Sequence, residues 1–204
     1  MRLSEKTLEL NICAQMSVLL RPHQNLFWFG LMQKQEARAG FDACTKFGGR
    51  LLIFQFKASN RVLRSGKRKF LAPHYQFNAL KRISGSSARS VFYAFPMVGN
   101  TLGVKKNPDL LSQTWLLDLT TVPSLGPPTS ADGSLRMNGC HNVYVSPGIV
   151  EIHSEPVQAR LINASELASS GFRGADGFQT EDNNRFEVFW EYLSRAMVYH
   201  PFRG

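Results

Sequence analysis

The chain has 204 residues, 43% hydrophobic and 11% aromatic, enough to bury a real core as one domain with an elaboration. Its three cysteines, Cys13, Cys44 and Cys140, are odd in number and widely spaced, which excludes a disulfide framework or a thiolate zinc cluster and reads as reduced, buried thiols. The net charge of +9 is regional: residues 1 to 110 carry eighteen Lys and Arg against five Asp and Glu, whereas residues 111 to 204 carry six against ten. So one-sided an excess points to a polyanionic partner for the first half, because phosphates repay concentrated cations through counterion release.

In chain order, the opening MRLSEKTLEL has no apolar signal core, and no run approaches the roughly eighteen apolar residues of a membrane span. A cytoplasmic protein without a membrane partner is the expectation. Ser4 is a candidate N-cap, and Glu5, Leu8, Glu9, Ile12, Met16 and Leu19 recur at helical spacing until Arg21-Pro22, which predicts a helix to about Leu20. Phe27, Trp28 and Phe29 form an aromatic cluster, better explained by packing than by base stacking. Gly48-Gly49 separates a short strand around 41 to 46 from a stronger one at 51 to 58, which predicts a β-hairpin.

Beyond that hairpin, Arg61, Arg64, Lys67, Arg68 and Lys69 surround Ser65-Gly66 and read as an exposed basic turn or loop, the candidate nucleic-acid contact. Residues 74 to 84 suggest a short helix with Phe77, Leu80 and Ile83 on one face; 90 to 96 and 114 to 122 suggest strands. Residues 124 to 134 form a Pro, Gly and Ser rich loop, 142 to 154 a second hairpin across Pro147-Gly148, and 163 to 184, with Gly171, Gly174 and Gly177 and no sustained periodicity, a mobile loop or short helical turns. Residues 184 to 200 suggest a terminal amphipathic helix stopped by Pro201. The alternation implies a mixed α/β core.

The strongest strand carries the chemistry. Alternation puts Leu51, Ile53, Gln55 and Lys57 on one face and Leu52, Phe54 and Phe56 on the other, so two polar groups share a face with an apolar run. If that face turns toward Asp42 on the hairpin partner, a carboxylate, an amide and an ammonium converge at a strand end. Such a site suits Mg²⁺, or Mn²⁺, bound through Asp42, the Gln55 side chain or the Phe56 carbonyl, with a further carboxylate from Glu9 or Glu36. Lys57 would orient or deprotonate the attacking water or stabilise transition-state charge in phosphodiester hydrolysis. His74 and His141, weighed with Cys140 as nucleophile or ligand groups, read better as core or loop histidines, and Ser154 cannot pair with adjacent His153 because strand neighbours face opposite ways.

The order of a Glu9-bearing helix, then EARAGFD with Glu36 and Asp42, then QFK with Gln55 and Lys57 thirteen and fifteen residues after the Asp, resembles the PD-(D/E)XK nuclease superfamily, especially its Mrr-like branch with a D...QxK motif. The resemblance covers about residues 4 to 97. It implies a restriction-endonuclease-like αβββαβ core with a mixed central sheet over residues 1 to 110, with 111 to 204 a β-rich and helical extension packed on it or part of one compact domain. It also implies a Mg²⁺-dependent nuclease, with DNA favoured over RNA as substrate and a role in defence or DNA processing, with Asp42 on the metal, Lys57 serving the water and Glu9 (or Glu5, one turn earlier) as the helix acid. The sequence departs from the pattern in having Phe41, not Pro, before the Asp, and Gln55 in place of the second acid. A homodimer and a protein partner for residues 111 to 204 are compatible with the reading. The alternative is a non-catalytic nucleic-acid-binding or assembly subunit that keeps a degenerate nuclease fold.

Overall fold

The structure, a computed structural model, describes residues 1–30, 40–59, 61–84, 89–130, 132–154 and 156–172. Helix α1 (Glu5–Leu20) starts where the sequence places it, because the Ser4 hydroxyl accepts the Thr7 N–H at 3.0 Å. Strand β1 (Phe29–Gly30) pairs antiparallel with β2 (Ala43–Phe47), which turns back into β3 (Arg50–Phe56). The turn is the two-residue Gly48-Gly49, with φ of 55° and 82°. Both positions need left-handed backbone, which glycine adopts without a Cβ penalty, so the register Phe47 opposite Arg50 is set by these residues.

The chain then leaves the first sheet. Strands β4 (Arg61–Val62) and β5 (Arg68–Pro73) form a second hairpin, and helix α2 (His74–Ser84) returns the chain to β6 (Arg89–Pro96), which pairs parallel with β3. A short helix α3 (Thr101–Lys106) leads to β7 (Thr114–Asp118), antiparallel to β6. Strands β8 (Cys140–Ser146), β9 (Ile149–Ile152) and β10 (Val157–Arg160) follow, then β11 (Ile162–Asn163) and helix α4 (Ala164–Ser169). The result is a mixed α/β fold with a mixed six-stranded sheet in the order β1-β2-β3-β6-β7-β11 and an antiparallel five-stranded sheet in the order β10-β9-β8-β5-β4. Strands from both halves of the chain share each sheet.

Two cores flank the larger sheet. On one face, Leu52, Phe54, Phe56 and Phe92 pack under Leu8, Ile12 and Met16 of α1 and Leu167 of α4. On the other, Leu51, Ile53, Tyr93 and Phe95 meet Phe77 and Leu80 of α2 and Phe70, Val143 and Val150 of the second sheet. Strand β3 is thus buried on both faces, as a strand beside a parallel neighbour is expected to be.

Three sequence expectations change. The basic segment keeps the expected exposed turn only at 63 to 67; Arg61, Arg68 and Lys69 lie in the paired strands β4 and β5, because Phe70 and Ala72 turn into the core while Lys69 and Leu71 face away from it. The strand predicted over 114 to 122 ends at Asp118, whose carboxylate caps a 3-10 turn, Leu119–Thr121, by accepting the Thr120 N–H at 2.8 Å. The glycine-rich stretch from 163, expected as loop or short helical turns, does begin with the six-residue α4, capped by the Asn163 side chain. Cys13 and Cys44 are buried, but Cys140 is exposed at the start of β8. The terminal helix expected over 184 to 200 and the candidate ligand Glu36 lie outside the described residues.

Candidate active site

The β2–β3 hairpin brings the predicted residues together at one end of the larger sheet. Asp42 enters β2 with its N–H on the Phe54 carbonyl at 3.0 Å, and the strand period turns its side chain to the same face as Gln55 and Lys57. There Asp42 Oδ2 accepts two hydrogen bonds, from the Phe56 backbone N–H at 2.7 Å and from Gln55 Nε2 at 2.6 Å. The same Gln55 Nε2 donates to the Phe56 carbonyl at 3.1 Å, and Gln55 Oε1 accepts from Gln76 Nε2 of α2 at 2.9 Å. The carboxylate oxygen of Asp42 and the Phe56 carbonyl therefore converge on one donor group.

These polar groups are deep. Asp42 is 9% exposed, Lys57 5% and Gln55 1%, in a setting where an unpaired polar group costs several kcal/mol. Burial pushes the Asp42 carboxyl up to about 6, against the opposing pull of the Phe56 N–H, the Lys57 charge and Gln55; the Glu5 charge pushes the same way as burial. Lys57 follows β3 with its backbone N–H on the Ala94 carbonyl at 3.0 Å, and its ammonium lies 5.9 Å from the centre of the Tyr93 ring. Tyr93 faces Gln55 across the parallel β3–β6 pair, and its buried hydroxyl has no hydrogen-bond partner among the described residues. Desolvation, with the Asp42 charge next in importance, holds that phenol well above its ordinary range.

Helix α1 reaches the same end of the sheet from the opposite face. Glu9 is buried and held by Lys6 at 2.8 and 3.0 Å, whereas Glu5 accepts the Ala58 N–H at 3.2 Å, one residue beyond Lys57. Glu5 is thus tied directly to the end of β3 and acts electrostatically on Asp42; Glu9 is occupied by its own lysine. Among the described residues, no three His, Cys, Asp or Glu side chains gather closely enough to hold a metal ion by themselves.

The five basic residues are not equivalent. Lys67 pairs with Glu151 of β9 at 2.6 Å, Arg68 donates to the Ser59 carbonyl at 2.7 Å and Lys69 lies 5.8 Å from the Tyr144 ring centre. Arg61 and Arg64 are exposed, one on β4 and the other in the turn. Of the aromatic cluster, Trp28 packs on Phe54 with ring centres 5.8 Å apart and donates Nε1 to Ser17 at 2.7 Å; Phe27 is exposed.

One group escaped the sequence reading, whereas the two histidines read as core or loop residues are both buried. Gln76 sits on the polar edge of α2, where only its distance from the apolar stripe distinguishes it. His74 Nδ1 and His141 Nε2 lie 3.0 Å apart in the core; His74 Nε2 is bonded to Asn78 and His141 Nδ1 to Ser154. This buried chain joins α2 to the second sheet, and no local pattern links residues so distant in sequence. Comparison of the whole chain with protein-family models, curated proteins and solved structures gives no match.

Proposed function

We propose that the protein is a metal-dependent nuclease that hydrolyses phosphodiester bonds, DNA being the favoured substrate, with Asp42, Gln55 and Lys57 at its centre. The observation that carries this reading is the convergence of the Asp42 carboxylate and the Phe56 carbonyl on one point, with the Lys57 ammonium on the same sheet face. Such a set, one carboxylate and one backbone carbonyl, fits Mg²⁺ or Mn²⁺, hard ions that take oxygen ligands and retain waters. Glu5 is the better-placed helix acid to complete it, since it already holds the backbone next to Lys57. The order α1, β1, β2, β3, α2, β6 supports a restriction-endonuclease-like core, with the second sheet inserted before α2 and extended by later strands.

The chemistry a bound divalent ion supplies is a lowered pKa for a water ligand and neutralisation of phosphate charge. The protein's own part is positional. Asp42, fixed by the Phe56 N–H, holds one ligand oxygen without freedom to swing. Lys57, anchored through its backbone to β6 and buried along its stem, presents a single cation to developing negative charge in a site of low dielectric. Arg61 and Arg64 offer exposed charge to a phosphate backbone; Lys67, Arg68 and Lys69 shape the hairpin that carries them. The second reading, a nucleic-acid-binding or assembly subunit, is favoured by the Gln55 amide, which occupies the position between the two oxygens in place of a second acid.

The test is supercoiled plasmid incubated with the purified protein in Mg²⁺, Mn²⁺ or EDTA, beside Asp42→Ala and Lys57→Ala proteins. Nicking that needs metal, and that each substitution lowers by at least about a hundredfold, is expected. No cutting by the wild type, with salt-sensitive binding that weakens when Arg61 and Arg64 are neutralised, would instead establish the binding subunit.

A further inference from the structure

The Gln55 amide closes the site in a way that can be reversed. Its Nε2 is bonded to two oxygens, Asp42 Oδ2 and the Phe56 carbonyl, while its Oε1 faces Gln76 Nε2 at 2.9 Å. An ionised carboxylate accepts only, so this orientation of Gln55 is the one Asp42 demands. Gln76 is held differently: its buried Oε1 has no hydrogen-bond partner among the described residues, so its amide has no second bond there to lose on turning over.

Turning both amides together keeps one bond between them, now from Gln55 Nε2 to Gln76 Oε1, and sends Gln55 Oε1 toward Asp42 Oδ2 and the Phe56 carbonyl. Three oxygens then face one another with no hydrogen among them. That arrangement is repulsive unless a cation stands between them, and with one it is an oxygen cage of the kind hard divalent ions take. Two hydrogen bonds are given up at Gln55, so the turned state is disfavoured in the ion-free protein.

We infer that Gln55 and Gln76 form a two-state amide relay, in which Gln55 closes the Asp42–Phe56 site with its N–H groups and, on binding of a divalent cation, turns its carbonyl into the site while Gln76, a positioning residue, accepts the displaced N–H. The inference rests on the nuclease reading above. It gives the amide at position 55 a use that a carboxylate would not have: a carboxylate has no donor with which to close the site.

The relay is read spectroscopically, without activity. The side-chain NH₂ signals of Gln55 and Gln76, assigned by their absence from the Gln55→Met and Gln76→Met proteins, are followed in the wild type as Mg²⁺ is added, with Asp42→Asn as the control. The expected result is that the Gln55 pair leaves its carboxylate-bonded position and the Gln76 pair moves at the same Mg²⁺ concentration, neither happening in Asp42→Asn. A Gln55 pair that keeps its position at saturating Mg²⁺, or moves while that of Gln76 stays, overturns the relay and leaves the metal site standing. A wild type with no response to Mg²⁺ that depends on Asp42 overturns the metal site and the relay together.

Discussion

Asp42 is held in a position that opposes stability. Its carboxyl titrates at about 6 in the fold, above its ordinary value of 3.8, so the folded chain binds a proton more tightly than the unfolded one across that interval. Below the unfolded value both states are protonated and nothing is lost. As pH rises toward 6 the unfolded state ionises first, and folding loses up to about 3 kcal/mol that is not regained at neutral pH. Asp42→Asn should therefore melt higher than wild type at pH 7.5 without metal, with the difference shrinking toward zero as pH falls to about 4; melting curves across that range decide it. Tyr93 makes a second residue-scale case. Removing its unpartnered hydroxyl as Tyr93→Phe keeps the rings stacked on Phe77 and Phe95, at 6.0 and 5.9 Å, and should change unfolding free energy by less than about 1 kcal/mol, in the stabilising direction. Chemical denaturation measures it.

Among the elements, the β2–β3 hairpin governs the site because a slip of one residue would send Gln55 and Lys57 into the aromatic face under α1. Gly49 lies at φ 82° with open space where a Cβ would go, so Gly49→Ala should cost about 1–2 kcal/mol through backbone strain alone, seen as a lower denaturation midpoint with an unchanged slope. This hairpin was legible in the sequence: Gly48-Gly49 marks the turn, and the alternation from Leu51 to Lys57 sets the facing. The same rule of two-residue alternation in Arg68, Phe70 and Ala72 was present but masked by five cations, which suggested solvent where β5 instead covers α2. Gln76 and the bond between His74 and His141, though not the burial of those histidines, were illegible for a different reason. Their partners lie on other elements, and only the packing of α2 between the sheets brings them together.

At the scale of the whole molecule, the charge asymmetry along the sequence does not divide the fold. Strand β7 completes β6, and β8 completes β5, so a fragment ending at residue 110 would strip partners from both sheets and uncover Phe70, Tyr93 and Phe95. Such a fragment should lack a cooperative melting transition by circular dichroism. Phe172 ties the far end of the described chain to the same structure: fully buried against Phe47, Phe54 and Phe92. Phe172→Ala should cost about 3–5 kcal/mol in unfolding free energy by denaturant titration, although it is remote in sequence from any site residue.

The pairing of β5 with β8 sets Arg68 opposite Val145 and Pro73 opposite Cys140. During synthesis, the hairpin bearing Asp42 and Gln55 leaves the ribosome long before β8, the strand that pairs with β5 behind α2, and contacts so distant along the chain close slowly. Until β8 arrives, α2 rests on β5 and β6 but lacks the bonds from His74 to Gly139 and His141 that fix its first turn. On the proposed reading, the complete site, with α2 fixed to both sheets, exists only once translation has passed residue 145.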